Sequence, residues 1–310
     1  MIKKMMVTNY LGETLDIILP QVTPSHGLLL ILADGIGPSG ANIHTTALAV
    51  GDGSIYNSAN KTQRNIVLEF LFTEAPLIED ARHLTYKYFP EKKPVVIGFE
   101  TDRRKLEAYG YVEKNEPNIF SDQEGCQISI ICTDPYFYDI DENGKQVSYF
   151  SGVEPLFEFI FSNESLTEPL LEFGSIENQS EKLIFYKGDA EVGITMTIHF
   201  FGANLESIGS KFYIYNTTTN QVMILDITKL KSMIGGNILI NDEIIITTTR
   251  QSKSIRFLRS GVYTNVLNCI DVHSEWINLA KGDNVFVYRL EPGMGNVQFK
   301  IENDVLYEGV

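Results

Sequence analysis

Three glycines early in the chain have the spacing of a dinucleotide-binding turn. The run LLLILADGIGPSGANIH places Gly35, Gly37 and Gly40 in a G-x-G-x-x-G pattern directly after an apolar segment. In nucleotide-binding proteins this turn opens a helix whose free N–H groups receive the pyrophosphate. Residues 41–50 have no apolar 3.6-residue period, and Pro38 fixes a turn. The pattern therefore indicates a glycine-rich connection between strands, and no cofactor is expected.

A second run has the oxygen-rich composition of a calcium loop. In DIDENG, Asp139, Asp141, Asn143 and Gly144 match the first positions of a calcium-binding helix-loop-helix. That loop requires a bidentate glutamate at its twelfth position, which here is Phe150, and neither flank has a helical pattern. Since Asn-Gly between strand-like runs is a tight-turn signal, the sequence predicts a turn and no metal site.

Catalytic motifs are absent from the sequence, which lacks H-E-x-x-H, a C-x-x-C pair and G-x-S-x-G. The five histidines are scattered, and His199 lies in an alternating run where a partly buried structural role is expected. Trp276 is the single tryptophan and is expected in the core, whereas exposure beside a groove would favour sugar stacking. We therefore expect a protein that is not an enzyme.

The charge restricts the partners of the chain. Forty acidic and 25 basic residues give a net charge of −15, which repels phosphate backbones and disfavours anionic lipid. Neither sequence-specific nucleic-acid binding nor membrane insertion is expected, because no apolar run approaches the ~18 residues that a membrane helix needs. The N-terminal segment lacks a signal-peptide pattern, so cytoplasmic synthesis is expected. The cysteines at 126, 132 and 269 fit reduced, buried thiols.

Most of the chain has the pattern of short β-strands. Runs rich in β-branched and aromatic residues recur along it, and Gly, Asn, Asp or Pro bounds most of them. Regular spacing of this kind indicates sandwiches or small barrels. The principal runs are NIVLEFLF, PVVIGFE, CQISIICT, GITMTIHFF, KFYIYNTTT, EIIITTT and NVFVYRL.

One segment, residues 74–89, has the pattern of an α-helix. Thr73 is the expected N-cap, and Pro90 ends the helix. The apolar stripe, at i, i+4, i+7 and i+11, consists of Leu77, Ala81, Leu84 and Tyr88.

Polar residues at 139–152 mark the expected boundary between two domains. Residues 1–145 are predicted to form a β domain that contains the helix, and residues 146–310 an all-β domain. The strand pattern leaves a sandwich or a small barrel open for each domain, so the predicted fold class is mainly β.

Four runs between Asn60 and Tyr138 follow one another in a distinctive order. They are KTQRNIVLEFLF, the helical EAPLIEDARHLTYKYF, KPVVIGFETDRR, and YGYVEKNEPNIFSDQEGCQISIICTDPYFY. This order resembles the distal tail protein family of long-tailed phages. In the second half, FEFIFSNESLTEPLLEFGSI, IFYKGDAEVGITMTIHF and SEWINLAKGDNVFVYRL resemble the C-terminal half of the same proteins. The resemblance covers nearly the whole chain and includes no catalytic motif.

The resemblance implies a tail-tube-like N-terminal β-sandwich with one helix and a C-terminal sandwich of galectin-like or carbohydrate-module type. Family members form a hexameric ring that joins the tail tube to the tail-associated hub and the host-adsorption apparatus. In some members the C-terminal domain also holds receptor-binding proteins. The implied location is the tail tip or baseplate of a virion, after synthesis in the host cytoplasm.

On this interpretation residues 33–60 form a long loop or β-hairpin arm, and its glycines serve turns. Ring contacts are predicted to involve the helix 77–88, the segment 35–60, and the charged side chains of Arg64, Arg82, Asp102 and Arg103. Three alternatives stay open. The first is the equivalent adaptor of a contractile phage, bacteriocin or prophage particle. The second is a carbohydrate-binding surface module, and the third is an enzyme that uses the glycine run, which would require a helix at 41–50.

Overall fold

The structure, a computed structural model, describes residues 1–19, 26–74, 77–141, 144–154, 175–178, 180–202 and 205–310. The chain divides into two compact units: unit 1 comprises Met1–Gly144 and Leu306–Val310, and unit 2 comprises Lys145–Val305. The predicted run FEFIFSNESLTEPLLEFGSI lies, apart from its last two residues, outside the described ranges.

The elements up to residue 144 are strands β1 (Ile2–Thr8), β2 (Thr14–Ile18), β3 (Leu28–Asp34), β4 (Ala41–Ala47), β5 (Ser54–Lys61) and β6 (Arg64–Phe72), helix α1 (Ile78–Tyr88), and strands β7 (Pro94–Thr101), β8 (Lys105–Asn118), β9 (Gly125–Cys132) and β10 (Phe137–Asp139). The later elements are β11 (Lys145–Tyr149), β12 (Ser151–Glu154), β13 (Ser175–Asn178), β14 (Glu181–Tyr186), β15 (Val192–Gly193), β16 (Thr195–Phe200), β17 (Lys211–Asn216), β18 (Gln221–Asp226), α2 (Ile227–Met233), β19 (Glu243–Thr247), β20 (Ser254–Arg259), β21 (Val262–Asn265), β22 (Asn278–Leu279), β23 (Gly282–Arg289), β24 (Val297–Asp304) and β25 (Leu306–Tyr307).

Unit 1 is built on one antiparallel sheet in the order β2-β1-β7-β8-β9-β6-β3, which β10 and β25 extend. Strands such as β6 and β9 alternate buried and less buried residues, because one face of the sheet forms the core. Helix α1 contributes Ala81 and Tyr88 to that core. The following Phe89 places its ring 6.1 Å from that of Phe70.

The helix is shorter than predicted, and its predicted N-cap is wrong. Its first helical residue is Ile78, and the N-cap is Leu77, whose backbone is extended (φ −147°, ψ 146°). The Leu77 side chain provides no capping hydrogen bond. Leu77 is 63% exposed and lies outside the apolar stripe, whose buried positions begin at Ala81. Thr85 joins this buried face, with its hydroxyl donating to the Arg82 carbonyl at 2.8 Å.

The last five residues belong to unit 1, which differs from the sequence-based assignment of 146–310 to the second domain. Strand β25 pairs with β10, with Tyr307 opposite Phe137. The Val310 N–H donates to the Ile36 carbonyl at 3.0 Å. This return strand pairs with residues far away in the sequence, so local patterns cannot reveal it.

Unit 2 contains a six-stranded sheet, β11-β24-β16-β19-β20-β21, and a four-stranded sheet, β14-β23-β17-β18. The two sheets pack through aromatic rings. The centre of the Phe299 ring, on β24, lies 5.2 Å from the centre of the Tyr288 ring and 6.1 Å from that of Phe212. The mainly β fold class is confirmed, and the galectin-like detail stays a prediction. Helix α2 departs from the all-β expectation; the Asp226 carboxylate caps it by accepting from the Lys229 N–H.

Within the described ranges, no helix is long and apolar enough to cross a membrane.

The cysteines are free and buried, as predicted. Burial raises the pKa of the Cys126 thiol to about 12 and those of Cys132 and Cys269 to about 11. The thiolate is the reactive form, and at pH 8 a thiol with a pKa near 11 is only about one-thousandth ionised. These side chains therefore act as small apolar groups in the core.

We predict that none of the three thiols reacts with a chromogenic disulfide reagent at pH 8 in the folded protein. All three should react within minutes once the chain is unfolded in guanidinium chloride, because unfolding removes both the burial and the raised pKa. Rapid labelling of a folded thiol would contradict this account.

Candidate assembly surfaces

The glycine run does not open a helix. Strand β3 ends at Asp34, Gly35 has a φ of +76°, and strand β4 begins at Ala41. A Cβ atom at Gly35 would overlap the carbonyl oxygen of Asn65. The glycine therefore provides close backbone packing, and the nucleotide-binding alternative, which required a helix at 41–50, is contradicted.

Strands β4 and β5 form the predicted hairpin arm. Among the described strands they pair only with each other, from Ala41 opposite Lys61 to Ala47 opposite Ser54. At the base of the arm, the Thr62 N–H and hydroxyl both donate to the Gly40 carbonyl, at 2.9 and 3.0 Å.

The arm is exposed on both faces, including its apolar side chains. Every residue of β4 is exposed, as is every residue of β5 except Lys61. A lone two-stranded hairpin is only marginally stable in water, and exposed apolar groups in a cluster mark interaction sites. The exposed apolar residues of the arm are Ile43, Leu48, Val50, Ile55 and Tyr56.

Arg64 anchors the root of the arm and does not lie on a surface. It is 2% exposed, so its assignment to an oligomer interface is corrected. Its guanidinium group lies 4.3 Å from the centre of the Phe137 ring. Its N–H groups donate to the backbone carbonyls of Gly35, Gly37, Pro135 and Glu308.

Burial lowers the pKa of the Arg64 guanidinium, which nevertheless stays protonated because an arginine is not deprotonated in proteins. The four carbonyl dipoles supply the hydrogen bonds that water would otherwise give this charge. Lys61 also reaches the C-terminal segment, with its ammonium 3.1 Å from the Glu308 carboxylate. The arm root and residues 306–310 are therefore held together by charge-assisted contacts.

The other three predicted interface residues occupy two places on unit 1. Asp102 is exposed and binds the Met1 ammonium at 2.6 Å and Lys3 at 3.2 Å. The hydrogen bond from the terminal ammonium is the main cause that lowers the pKa of Asp102. Arg103, next to it, is exposed. Arg82 lies on α1, partly buried, with its guanidinium 3.9 Å from Glu124.

The sequence analysis missed one exposed apolar feature. Phe120 is fully exposed and Ile119 is 40% exposed, and both lie in the turn between β8 and β9. The available signal was an apolar pair inside a polar turn, NIFSD. This tip adds a further exposed apolar point to the surface of unit 1.

The acidic run forms a turn in its described part. The Gly144 N–H donates to the Asp141 carbonyl at 2.7 Å, and the Asp141 N–H to the Asp139 carboxylate at 3.1 Å. Residues 142–143 lie outside the described ranges. Among described residues, no cluster of three His, Cys, Asp or Glu side chains has the geometry of a metal site.

Trp276 is partly buried, and the Lys253 ammonium lies 5.4 Å from the centre of its ring. The Trp276 side chain is therefore not the freely exposed platform that the carbohydrate-module alternative required.

The chain has the fold of a phage distal tail protein. A similar structure is that of Dit (gp 19.1) of phage SPP1, described as a paradigm of the hub adsorption apparatus in phages that infect Gram-positive bacteria. The two share 11% sequence identity with a TM-score of 0.59, over 97% of this chain and 98% of that one. The resemblance stated from the sequence is thus confirmed at the level of fold.

Two structures of the phage P2 baseplate in its activated conformation, with Ca and with Sr, are also similar. They share 10% and 11% identity, with TM-scores of 0.41 and 0.39. The first covers 98% of this chain and 99% of that one, and the second 96% and 97%. No protein-family model and no curated protein sequence matches the chain.

We predict that Arg64→Ala lowers the free energy of unfolding of unit 1 by about 3 kcal/mol, because buried carbonyls lose their donor. Arg64→Lys should recover only part of this loss, since one ammonium cannot match the planar fork. Hydrogen exchange at the Val310 amide should accelerate in both variants. Arg103→Ala, at an exposed site, is the control and should change stability by less than about 0.5 kcal/mol. Equal stability of Arg64→Ala and the wild type would contradict this role.

Proposed function

We propose that the protein is a structural component of a phage or prophage virion, namely the distal tail adaptor at the tail tip or baseplate. In this role it forms a hexameric ring that joins the tail tube to the tail-associated hub and the host-adsorption apparatus. The observation that carries the proposal is the fold correspondence with SPP1 Dit over 97% of this chain and 98% of that one. The role is structural and not catalytic.

The arm supports the assembly part of this proposal. Its apolar side chains lie exposed in the isolated chain, and burying them on a neighbouring copy would contribute about 25 cal/mol per Å² of apolar surface. In a closed ring each copy presents its arm to the next, so every arm and every receiving surface is used. The hydrogen bonds at Gly40 and Thr62, together with the Arg64 contacts, fix the root from which the arm projects.

The negative charge of the chain supports a position around a channel through which DNA passes. Its net charge of −15 repels phosphate, so a channel wall made from such copies would let DNA pass without binding it. The equivalent adaptor of a contractile particle has the same role and stays the alternative. The carbohydrate-module alternative gains no support from Trp276, whose partly buried ring lies beneath Lys253.

The first experiment measures the mass in solution by light scattering and images the same peak by negative stain. We expect a ring of six copies with a central channel. A variant in which Asn-Gly replaces residues 41–61 should remain folded by circular dichroism but run as a monomer, since the apolar arm is gone. A hexamer of unchanged stability in that variant would contradict the role of the arm.

A second experiment tests the charged residues proposed for the ring contacts. Arg82→Glu and Arg103→Glu should each raise the concentration at which half of the rings dissociate by about tenfold, as reversal of an interfacial charge costs about 1–2 kcal/mol. Arg289→Glu, in unit 2, is the matched control and should leave the midpoint unchanged. Unchanged midpoints in both unit 1 variants would remove these residues from the interface and leave the ring itself in place.

A further inference from the structure

Strand β21 lies at one edge of the six-stranded sheet in unit 2. It pairs with β20 from Val262 opposite Arg259 to Asn265 opposite Arg256, and no described strand pairs with its other side. Every residue of β21 is exposed. A free edge of this kind offers unpaired N–H and C=O groups to another chain.

The turn between β20 and β21 identifies the free backbone groups. It consists of Ser260 and Gly261, which have φ values of +50° and +81°. The residues that flank a two-residue turn bond to each other, so Val262 directs its backbone groups to β20. Because this direction alternates along a strand, Tyr263 and Asn265 direct theirs to the free side. An added strand would pair with these two residues.

The other outer strands of the two sheets in unit 2 have contacts that cover them. Strands β11 and β14 are linked by two hydrogen bonds, from the Lys182 ammonium to the Tyr149 carbonyl at 2.5 Å and from the Gln146 amide to the Phe185 carbonyl at 3.4 Å. The segment 271–275 covers β18 through two backbone hydrogen bonds, at 2.9 and 2.7 Å. In the described part of the chain β21 has no such cover, and it contains no proline, lysine or bulge to protect its edge.

The chain around this edge is basic, although the protein as a whole is acidic. Residues 244–270 include four basic residues and no acidic one. Among the basic residues, Arg259 binds the buried Asp242 at 2.5 Å. Lys253 and Arg256 are exposed, and neither is bonded to a carboxylate of the described residues. The surface beside the free edge therefore carries an uncompensated positive charge.

Aromatic rings hold these two cations at the surface. The guanidinium carbon of Arg256 lies 5.1 Å from the centre of the Tyr263 ring, and the Lys253 ammonium lies 5.4 Å from that of Trp276. A cation–π contact positions a charge without neutralising it. Since Tyr263 belongs to β21, the Arg256 side chain reaches from β20 onto the strand at the free edge.

We propose that the free edge of β21 binds an extended acidic segment of another protein, which adds a seventh strand to the six-stranded sheet. The backbone of this segment pairs with Tyr263 and Asn265, and its carboxylates bind Arg256 and Lys253. Main-chain hydrogen bonds give strand addition its affinity, and side-chain contacts give it specificity. The proposal does not depend on the ring or on the arm of unit 1.

Other ligands fit this edge less well. A basic strand would place like charges beside Arg256 and Lys253, which is destabilising. A polyanion such as a phosphate chain binds cations through charge but has no backbone to pair with β21. On the same face of the sheet, Glu243 lies opposite Leu258, and its carboxylate is 3.2 Å from the His199 ring.

The test uses the full chain and a ten-residue peptide, acetylated and amidated, in which glutamate and valine alternate. In an added strand its glutamates face Arg256 and its valines face Val262, which is 66% exposed. Calorimetry should give a Kd of about 1 mM or tighter, and hydrogen exchange at the Tyr263 and Asn265 amides should slow. Two control peptides should bind at least about tenfold more weakly. One has lysine in place of glutamate, and the other is N-methylated at its four central residues.

Variants of the protein separate the charges from the strand pairing. Arg256→Glu and Lys253→Glu should each weaken binding of the glutamate peptide at least about tenfold, because attraction becomes repulsion. Tyr263→Pro removes an N–H on the free side and should bind at least about tenfold more weakly than Tyr263→Thr, which keeps that N–H. Arg289→Glu, at an exposed site on the four-stranded sheet, is the matched control and should bind as the wild type does. Circular dichroism should confirm that all variants are folded.

Three results would overturn the proposal. The first is no binding of the glutamate peptide up to about 10 mM. The second is equal affinity for the lysine peptide. The third is equal affinity for the N-methylated peptide, or binding of inorganic polyphosphate at this site that Tyr263→Pro does not weaken; either would assign the surface to a polyanion. The assay needs no ring, so its failure and a failure to form hexamers are separate results.

Discussion

A buried positive charge needs several hydrogen-bond acceptors in fixed positions, and Arg64 finds four carbonyls in three segments that are distant in sequence. The guanidinium gains no stability from a carbonyl that moves away, so each of these segments restrains the others. The loop after β3, the approach to β10 and the segment after β25 therefore hold one arrangement. Removing the Arg64 side chain would leave the carbonyls buried without donors. The resulting loss of stability would affect all of these segments together.

This restraint explains how an arm with little packing of its own can have a definite direction. The arm strands bury almost nothing, so their stability comes from the root and from whatever covers them. A rigid root combined with an apolar, uncovered tip suits the contact with a second copy that we propose for the arm. The glycines that resemble a phosphate-binding turn serve this root, because Gly35 packs against the Asn65 backbone and leaves no room for a side chain.

The strands were predictable because alternation of buried and exposed residues is local, as in the run of β16 with its buried Met196, Ile198 and Phe200. The same alternation in β6 places Arg64 in phase with the buried Ile66 and Leu68. The sequence thus carried a signal against a surface role, although it could not identify the carbonyl partners. The helix was predicted to start too early because Leu77 fits the apolar spacing of the helix. In the structure Leu77 has an extended backbone and precedes the first helical residue.

The polar groove on the outer face of the six-stranded sheet, lined by His199, Glu243 and Gln298, was beyond sequence analysis for a different reason. Its wall depends on the registers between β24, β16 and β19, strands separated by long stretches of chain. His199 was correctly expected in an alternating strand, partly buried. Its neighbours Gln298 and Glu243 could be identified only once the strand order was known.

The strands by which the chain leaves unit 1 and returns to it, β10 and β25, are hydrogen-bonded neighbours. Unit 2 is therefore an insertion into unit 1, and a ribosome translates all of it before residues 306–310 appear. In a nascent chain, the hydrogen bond from Arg64 to the Glu308 carbonyl can form only after unit 2 has been synthesised. Translation order thus delays the final form of the arm root, and a product truncated before residue 306 lacks the Glu308 carbonyl to which Arg64 donates.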